Sequence, residues 1–149
     1  MEIHEKIHST FAAVATSMGY NEVHGRIISV LMVAGRPLSS EEISNETGYS
    51  PSAISLSLDL LELVGIVKKI KNAGDRRVYA QMDGDLLEGL RNAFFFKIKK
   101  NIASTLSEFE KHRQSSDKET LQTIEALEHE VRRFGEYINN LIKVDPPPR

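Results

Sequence analysis

The feature that most constrains this chain is a pair of short helical segments separated by only three residues. Residues 39–42, Ser-Ser-Glu-Glu, are typical of a capped helix start, and this first helix is expected to end before Gly48. A second start follows at once, because Ser50 suits an N-cap and Pro51 suits the first helical position. We expect the second helix to run to about Leu63.

A basic β-hairpin is predicted directly after the second helix. Residues 66–71 partly alternate apolar and basic side chains, residues 72–75 form a four-residue tip with turn chemistry, and residues 76–82 alternate again. Two close helices joined by a glycine-containing turn and followed by such a ribbon predict a winged helix-turn-helix head over residues 37–82. Its hairpin cations are Lys68, Lys69, Lys71, Arg76 and Arg77.

Positive charge is concentrated in one quarter of the chain. The formal net charge is −2, which alone argues against a nucleic-acid partner. Residues 65–101, however, hold 9 Lys/Arg and 4 Asp/Glu, whereas residues 1–64 hold 3 and 8 and residues 102–149 hold 7 and 9. Since local fields steer a ligand more than the total charge does, the basic segment favours a polyanionic partner.

Helix, hairpin and charge together favour a sequence-specific regulator that binds double-stranded DNA. A helix fits the major groove, and a basic hairpin beside it can contact phosphates or the minor groove. Residues 50–63 contain no Lys, Arg, Asn or Gln, so we expect modest base readout from the helix and much of the affinity from the hairpin. The candidate DNA contacts are Ser39, Ser50, Pro51, Ser52, Ser55, Leu56, Ser57, Lys68, Lys71, Asn72, Asp75, Arg76 and Arg77.

The same head is compatible with an alternative function. A winged-helix module in transcription machinery could contact protein without sequence-specific DNA binding, and the hairpin cations would then be a solvated face or a contact to protein or RNA. Asp75 also has two interpretations. It is either simple turn chemistry or a carboxylate that orients Arg77 for insertion into the minor groove.

Amphipathic helices flank the head. Residues 2–17, 22–33, 85–111 and 117–143 have helical periodicity, with a polar break over 112–116. The predicted fold class is mainly α with a small β-hairpin wing: a winged helix-turn-helix head plus long terminal dimerisation helices. We expect an N-terminal dimerisation helix over 1–18, a DNA-binding domain over 19–84, a C-terminal helical dimerisation region over 85–144 and a disordered tail over 145–149.

The apolar stripes of the terminal helices are longer than a small head could cover. We therefore expect a homodimer that presents two heads to a palindromic site, with an intramolecular hairpin packed on the head as the alternative. At least one of the three phenylalanines at 94–96 must meet another helix or line a cavity, and a core or interface position is favoured over a ligand pocket. The candidate interface residues are Ile3, Ile7, Phe11, Ile102, Leu106, Phe109, Leu121, Ile124, Leu127, Val131, Phe134, Ile138 and Leu141.

Other classes of protein are disfavoured. The absence of Cys excludes a disulfide framework, a thiolate metal site and a Cys nucleophile. No secretory h-region and no apolar run of membrane-spanning length is visible, so we expect a cytoplasmic protein without a membrane partner. His4 and His8 have ligand spacing but no third ligand, so we expect a solvated pair, no metal and no cofactor. Without a phosphate-binding glycine loop or a nucleophile elbow, an enzyme is not expected.

Short segments through the head resemble a known family of regulators. They are Gly25-Arg26-Ile27, Pro37-Leu38-Ser39, Glu42-Ile43, Gly48-Tyr49-Ser50, Leu61-Glu62, Gly65-Ile66-Val67 and Gly74-Asp75-Arg76-Arg77. Over about residues 19–96 the chain resembles the MarR-type winged-helix regulators, and within them the GbsR branch of choline-responsive repressors.

This resemblance implies a triangular dimer formed by the terminal helices and DNA-contacting wing roles for Asp75 and Arg77. It also implies that a small-molecule effector can bind between the DNA-binding and dimerisation parts. We expect a repressor. Choline sensing is not carried over, because the chain has no Trp and its Tyr residues are scattered, so no aromatic cage is identifiable.

Overall fold

A computed structural model describes residues 2–114 and 117–149 of the chain. The helices are α1 (Glu2–Ser17), α2 (Glu22–Ala34), α3 (Ser40–Thr47), α4 (Pro51–Leu63), α5 (Leu86–Arg113) and α6 (Lys118–Leu141), and the strands are β1 (Leu38–Ser39), β2 (Val67–Lys71) and β3 (Val78–Met82). The predicted fold class, mainly α with a small hairpin wing and a long C-terminal helix pair, is confirmed. Within the predicted polar break, residues 115 and 116 lie outside the described residues.

The helix ends follow their capping residues. The side chain of Asn21 accepts a hydrogen bond from the Val23 N–H at the start of α2, and Gly35 ends this helix in the left-handed region at φ +64°. Asp117 caps α6 in the same way, through the Thr120 N–H. Of the described helices, none is long and apolar enough to cross a membrane.

The strands form one antiparallel sheet in the order β1-β3-β2. The sequence did not predict β1, which pairs Leu38 with Ala80 and Ser39 with Tyr79, because a two-residue strand has no visible alternation. The loop between β2 and β3 is also longer than the four residues expected. Arg76 and Arg77 belong to this loop rather than to β3, since the Asp75 carboxylate accepts the Arg77 N–H that a strand would use for pairing.

The chain divides into two compact units, one ending at Ala93 and the other beginning at Phe94. The core of the first unit is built by α2, α3, α4 and the sheet. Its most completely buried large side chains are Ile27, Ile28, Leu31, Ile43, Ile54, Leu58, Ile66 and Val67. Apolar residues cover most of the circumference of α2, and this helix accordingly lies in the centre of the core.

Helix α1 packs closely on α2 through small residues. A Cβ atom at Gly25 would lie 2.9 Å from the Ala15 Cβ and 3.0 Å from the Ala12 Cα, so only glycine permits this approach. The same face buries His8, whose Nδ1 lies 3.0 Å from Ser29 Oγ. The expected solvated histidine pair is therefore wrong for His8, and burial lowers its pKa.

In the second unit, α6 runs antiparallel to the part of α5 that begins at Phe94. Gly135 on α6 faces Ile102 on α5, and Arg113 near the end of α5 pairs with Glu128 on α6. Ile124 and Ile138, predicted as dimer contacts, are only 6% and 2% exposed. That prediction is corrected for these two residues, because they already belong to the interior of this helix pair.

Candidate nucleic-acid interface

The turn between α3 and α4 is fixed by hydrogen bonds that its sequence provides. Ser39 and Glu42 form a reciprocal capping box at the start of α3, and Gly48 ends this helix at φ +76°. The Ser44 hydroxyl then donates to the Tyr49 carbonyl at 2.6 Å, and the Ser50 side chain caps α4 through the Ala53 N–H. These hydrogen bonds fix the direction in which α4 begins. Its cap, Ser50, and its first residues, Pro51 and Ser52, are exposed to solvent.

Helix α4 separates a buried face from an outward face. Ile54, Leu58 and Leu61 lie in the core. On the outward face, Ser52 and Ser55 are exposed, and Leu56 has 72% of its surface exposed. A leucine so exposed beside hydroxyls can contact an apolar group such as a thymine methyl.

Two candidate DNA contacts do not reach this surface. Ser57 is buried, because it lies on the core side of α4 one turn after Ile54. Ser39 is also buried, since its hydroxyl accepts the Glu42 N–H in the capping box at 3.1 Å. Ser57 therefore packs against the core and Ser39 caps α3, and the predicted DNA contacts at these two residues are corrected.

The loop between β2 and β3 is organised around the Asp75 carboxylate. Its Oδ1 accepts from the backbone N–H of Arg77 at 2.9 Å and from Arg77 Nε at 3.1 Å, and its Oδ2 accepts from Arg77 Nη2 at 3.2 Å. The Tyr79 hydroxyl donates to the same Oδ2 at 3.0 Å, and the guanidinium lies 5.6 Å from the Tyr79 ring centroid. Arg77 is thus held by a two-pronged ion pair and an aromatic ring.

This environment strongly favours the ionised carboxylate. Hydrogen bonds from the Arg77 side chain and then from its backbone N–H lower the pKa of Asp75 to about 2. Asp75 therefore both forms a turn and holds the Arg77 side chain, while insertion of Arg77 into the minor groove stays a prediction. Tyr79 is a residue that the sequence analysis missed. The spacing Asp75-x-Arg77-x-Tyr79 could have indicated it, because residues two apart in extended chain share a face.

The hairpin cations differ in how they are engaged. Lys68, Lys71 and Arg76 are exposed, and no ion pair within 4 Å engages them in the part of the chain that the structure describes. Lys69 instead reaches back to Asp59 and Glu62 on α4. The cations available to an anionic partner are therefore Lys68, Lys71 and Arg76, together with the oriented Arg77.

The described residues do not offer the ligand set of a metal site. Within residues 2–114 and 117–149, no three His, Asp or Glu side chains lie together as metal ligands would. His4 is exposed on α1, whereas its neighbour His8 is buried against Ser29.

Residues 25–69 match the family model of the bacterial regulatory proteins of the arsR family. This segment includes most of α2, all of α3 and α4, and the start of β2. No match was found among curated proteins.

One solved structure shares the chain's architecture. A structure of a transcriptional regulator superposes with a TM-score of 0.62 at 17% identity, covering 93% of this chain and 94% of that one. The fold is a winged helix-turn-helix. More distant structures are NadR in complex with 4-hydroxyphenylacetate (TM-score 0.46, 19% identity, 87% and 86% covered) and BldR from Sulfolobus solfataricus (TM-score 0.43, 20% identity, 89% and 88% covered).

The arsR-family match and the winged fold support a DNA-binding transcription regulator. The matched model is not that of the MarR-type proteins, so the predicted placement in their GbsR branch stays a prediction.

Proposed function

We propose that this protein is a transcriptional regulator that binds double-stranded DNA through α4 and residues 68–78, the basic part of the β2–β3 hairpin, which we call the wing. The observation that carries the proposal is the presence, on one rigid core, of a capped helix with a solvent-open start and a wing with an oriented arginine. The outward residues of α4 and four of the hairpin cations are not part of the core, since they are exposed; these cations are Lys68, Lys71, Arg76 and Arg77. Their exposure is what a groove-binding surface needs.

Helix α4 is proposed to enter the major groove at its N-terminal end. Ser50, Ser52 and Ser55 can exchange hydrogen bonds with phosphates or base edges, while Pro51 and Leu56 supply apolar contacts. Hydroxyls discriminate weakly between bases because they both donate and accept. This helix is therefore proposed to recognise shape and thymine methyl groups more than a full hydrogen-bonding pattern.

The wing is proposed to supply most of the affinity. Lys68, Lys71, Asn72 and Arg76 can contact phosphates, and Arg77 can enter the minor groove, where the negative potential attracts a guanidinium. Asp75 and Tyr79 hold Arg77 before DNA arrives, which lowers the conformational entropy lost on binding.

An electrophoretic shift with the DNA upstream of the protein's own gene tests the proposal. We expect saturable binding that resists a large excess of nonspecific competitor. Equal affinity for that DNA and for random DNA of the same length would contradict sequence-specific regulation.

The regulator is further proposed to act as a homodimer on a palindrome. Along α1, Ile3 (62% exposed), Ile7 and Val14 form an apolar stripe on the side away from α2. In the second unit, an open groove of about 450 Å³ is lined mainly by apolar side chains, among them Ile98, Ile102, Leu127, Val131 and Phe134. Such surfaces are stable in water when a partner covers them, and a second copy would also supply a second head.

Sedimentation of a matched pair of variants tests the dimer. Phe134→Glu places a charge at the rim of the apolar groove, and we expect it to shift the protein to monomer at micromolar concentration. Gln122→Glu introduces the same charge at an exposed position of α6 and should leave the dimer intact. A monomeric wild-type protein would contradict the proposed dimer.

Repression is the proposed outcome of binding. Occupancy of a promoter site by the dimer is sufficient to exclude other proteins, so repression needs no further contact. A reporter driven by the bound promoter should rise when the gene is deleted and fall when it is restored. A reporter that falls on deletion would contradict repression.

A protein-interaction module is the second candidate function, and two exposed leucines favour it. Leu56 and Leu63 both lie on the outward side of α4, and Leu63 is 69% exposed. Apolar side chains on an outward helix face are also what a protein partner would bury. Failure of wild-type protein to bind any duplex would favour this second function.

A further inference from the structure

Lys69 differs from the other hairpin lysines because its side chain crosses from the sheet to α4. Its ammonium group pairs with Asp59 and lies 3.8 Å from Glu62 Oε1. Its backbone N–H, on the free edge of β2, donates to Glu62 Oε2 at 2.9 Å. Main chain and side chain of one residue are thus both bound by the last turns of α4.

Asp59 lies on the side of α4 that is proposed to face DNA. It lies seven residues after Ser52 and three after Leu56, so helical spacing places all three on the outward side. The structure agrees, since Ser52, Leu56 and Asp59 are exposed. An uncompensated carboxylate at this position would repel the phosphates beside the groove that α4 is proposed to enter.

We propose that Lys69 is a positioning residue that neutralises Asp59 and fixes the wing to α4, rather than a residue that contacts DNA phosphate. This inference rests on the proposed DNA binding. It separates Lys69 from Lys68, its exposed neighbour on the same strand, which is assigned to phosphate contact.

Three observations favour this role over direct contact. The Lys69 side chain is only 30% exposed, and two carboxylates already surround its ammonium. The hydrogen bond that Lys69 donates to Asp59 raises the pKa of Lys69, so the ammonium group stays charged at neutral pH. β2 is an edge strand, so the bond from the Lys69 N–H to Glu62 supports the base of the wing where no further strand can.

A double-mutant cycle with a matched control cycle tests the inference. Duplex affinity is measured for wild type, Lys69→Met, Asp59→Asn and the double variant, and then for Lys68→Met alone and combined with Asp59→Asn. The two double variants have the same net charge, so only a local pairing can distinguish them. Lys69→Arg, which keeps the pair, serves as the conservative variant, and thermal melting monitors the fold.

The expected results are specific to the pair. Lys69→Met should weaken binding by about tenfold, because Asp59 becomes uncompensated near the phosphates. Adding Asp59→Asn should restore affinity to within about threefold of wild type, and Lys69→Arg should bind like wild type. In the control cycle the effects of Lys68→Met and Asp59→Asn should be additive, so that no specific rescue occurs.

Two outcomes would overturn the inference while leaving DNA binding intact. Unchanged affinity of Lys69→Met would show that the pair is irrelevant to binding. Loss of affinity that Asp59→Asn fails to rescue would show that Lys69 does not act by neutralising Asp59. Failure of wild-type protein to bind any duplex is a different result, which would overturn the proposed function and this inference with it.

Discussion

Helix α4 and the wing belong to the same head but differ in what they present to solvent. The outward side of α4 carries serines, two leucines and one compensated aspartate, whereas the wing carries exposed cations and an arginine held by Asp75 and Tyr79. The caps of α4 fix the direction of the helix but add no positive charge to it, whereas the wing concentrates positive charge. We infer that α4 determines how the head docks on DNA, while the wing supplies most of the affinity.

Removing the charge of the wing should have the largest effect. We expect Arg76→Ala with Arg77→Ala to weaken binding to every duplex by about 10- to 100-fold and to reduce the salt slope by about 2, because each lost phosphate contact removes about one released counterion. Titrations at several salt concentrations measure both quantities. Lys118→Ala with Lys143→Ala removes the same charge at the start of α6 and just beyond its end, and should leave the slope unchanged. An unaltered slope in the arginine variant would contradict the role of the wing.

Removing the carboxylate that orients Arg77 should change the affinity for DNA less, but the direction of the change distinguishes two roles for Asp75. Asp75→Asn makes the head more positive, so net charge alone predicts tighter binding. We instead expect about fivefold weaker binding, since a fork-like ion pair that positions an arginine is lost. Asp83→Asn, an exposed aspartate after β3, should leave affinity equal or slightly higher. Tighter binding by Asp75→Asn would show that the carboxylate only opposes DNA.

On α4, Leu56→Ala should weaken binding only at particular sequences. Loss of an apolar contact to a thymine methyl is expected to cost about threefold to tenfold on the preferred duplex and little on random DNA. Competition binding against duplexes with single T-to-C changes measures this dependence. Leu63→Ala removes an equally exposed leucine further along α4 and provides the control. A uniform loss with Leu56→Ala would assign this helix to nonspecific contact.

The smallest effect is the titration of Asp75 itself. A group whose pKa is depressed in the folded protein contributes stability above its ordinary pKa of 3.8 and loses it as the pH falls through about 2. Carboxyl chemical shifts should therefore give a pKa near 2, and Arg77→Ala should return it toward 3.8. A pKa near 3.8 in the wild-type protein would mean that the ion pair does not persist in solution.

The helices of the head were predictable because their caps are local. Ser39 with Glu42, Ser50 with Pro51, and the glycine at position 48 define boundaries within a few residues of each other, and the structure confirms these helices. The short strand β1 was not predictable, since it exists only through pairing with β3. Local signals identify helices, whereas a two-residue strand depends on a partner distant in sequence.

The candidate site was predictable in composition but less so in detail. The cations of the wing follow from the sequence, yet the diversion of Lys69 to Asp59 depends on how β2 packs beside α4. Ser57 was misplaced because helical phase was assigned by polarity, and a small serine can be buried in a core. Tyr79 was missed because its role arises only when the loop folds Asp75 and Arg77 together.

Amide chemical-shift mapping on addition of the bound duplex tests the central claim most directly. We expect the largest perturbations at residues 50–59 of α4 and its cap and at residues 68–77 of the wing, with little change at His8 or Ser29. Saturable binding with the largest perturbations confined to α1 or α6, and with none in the wing, would contradict it.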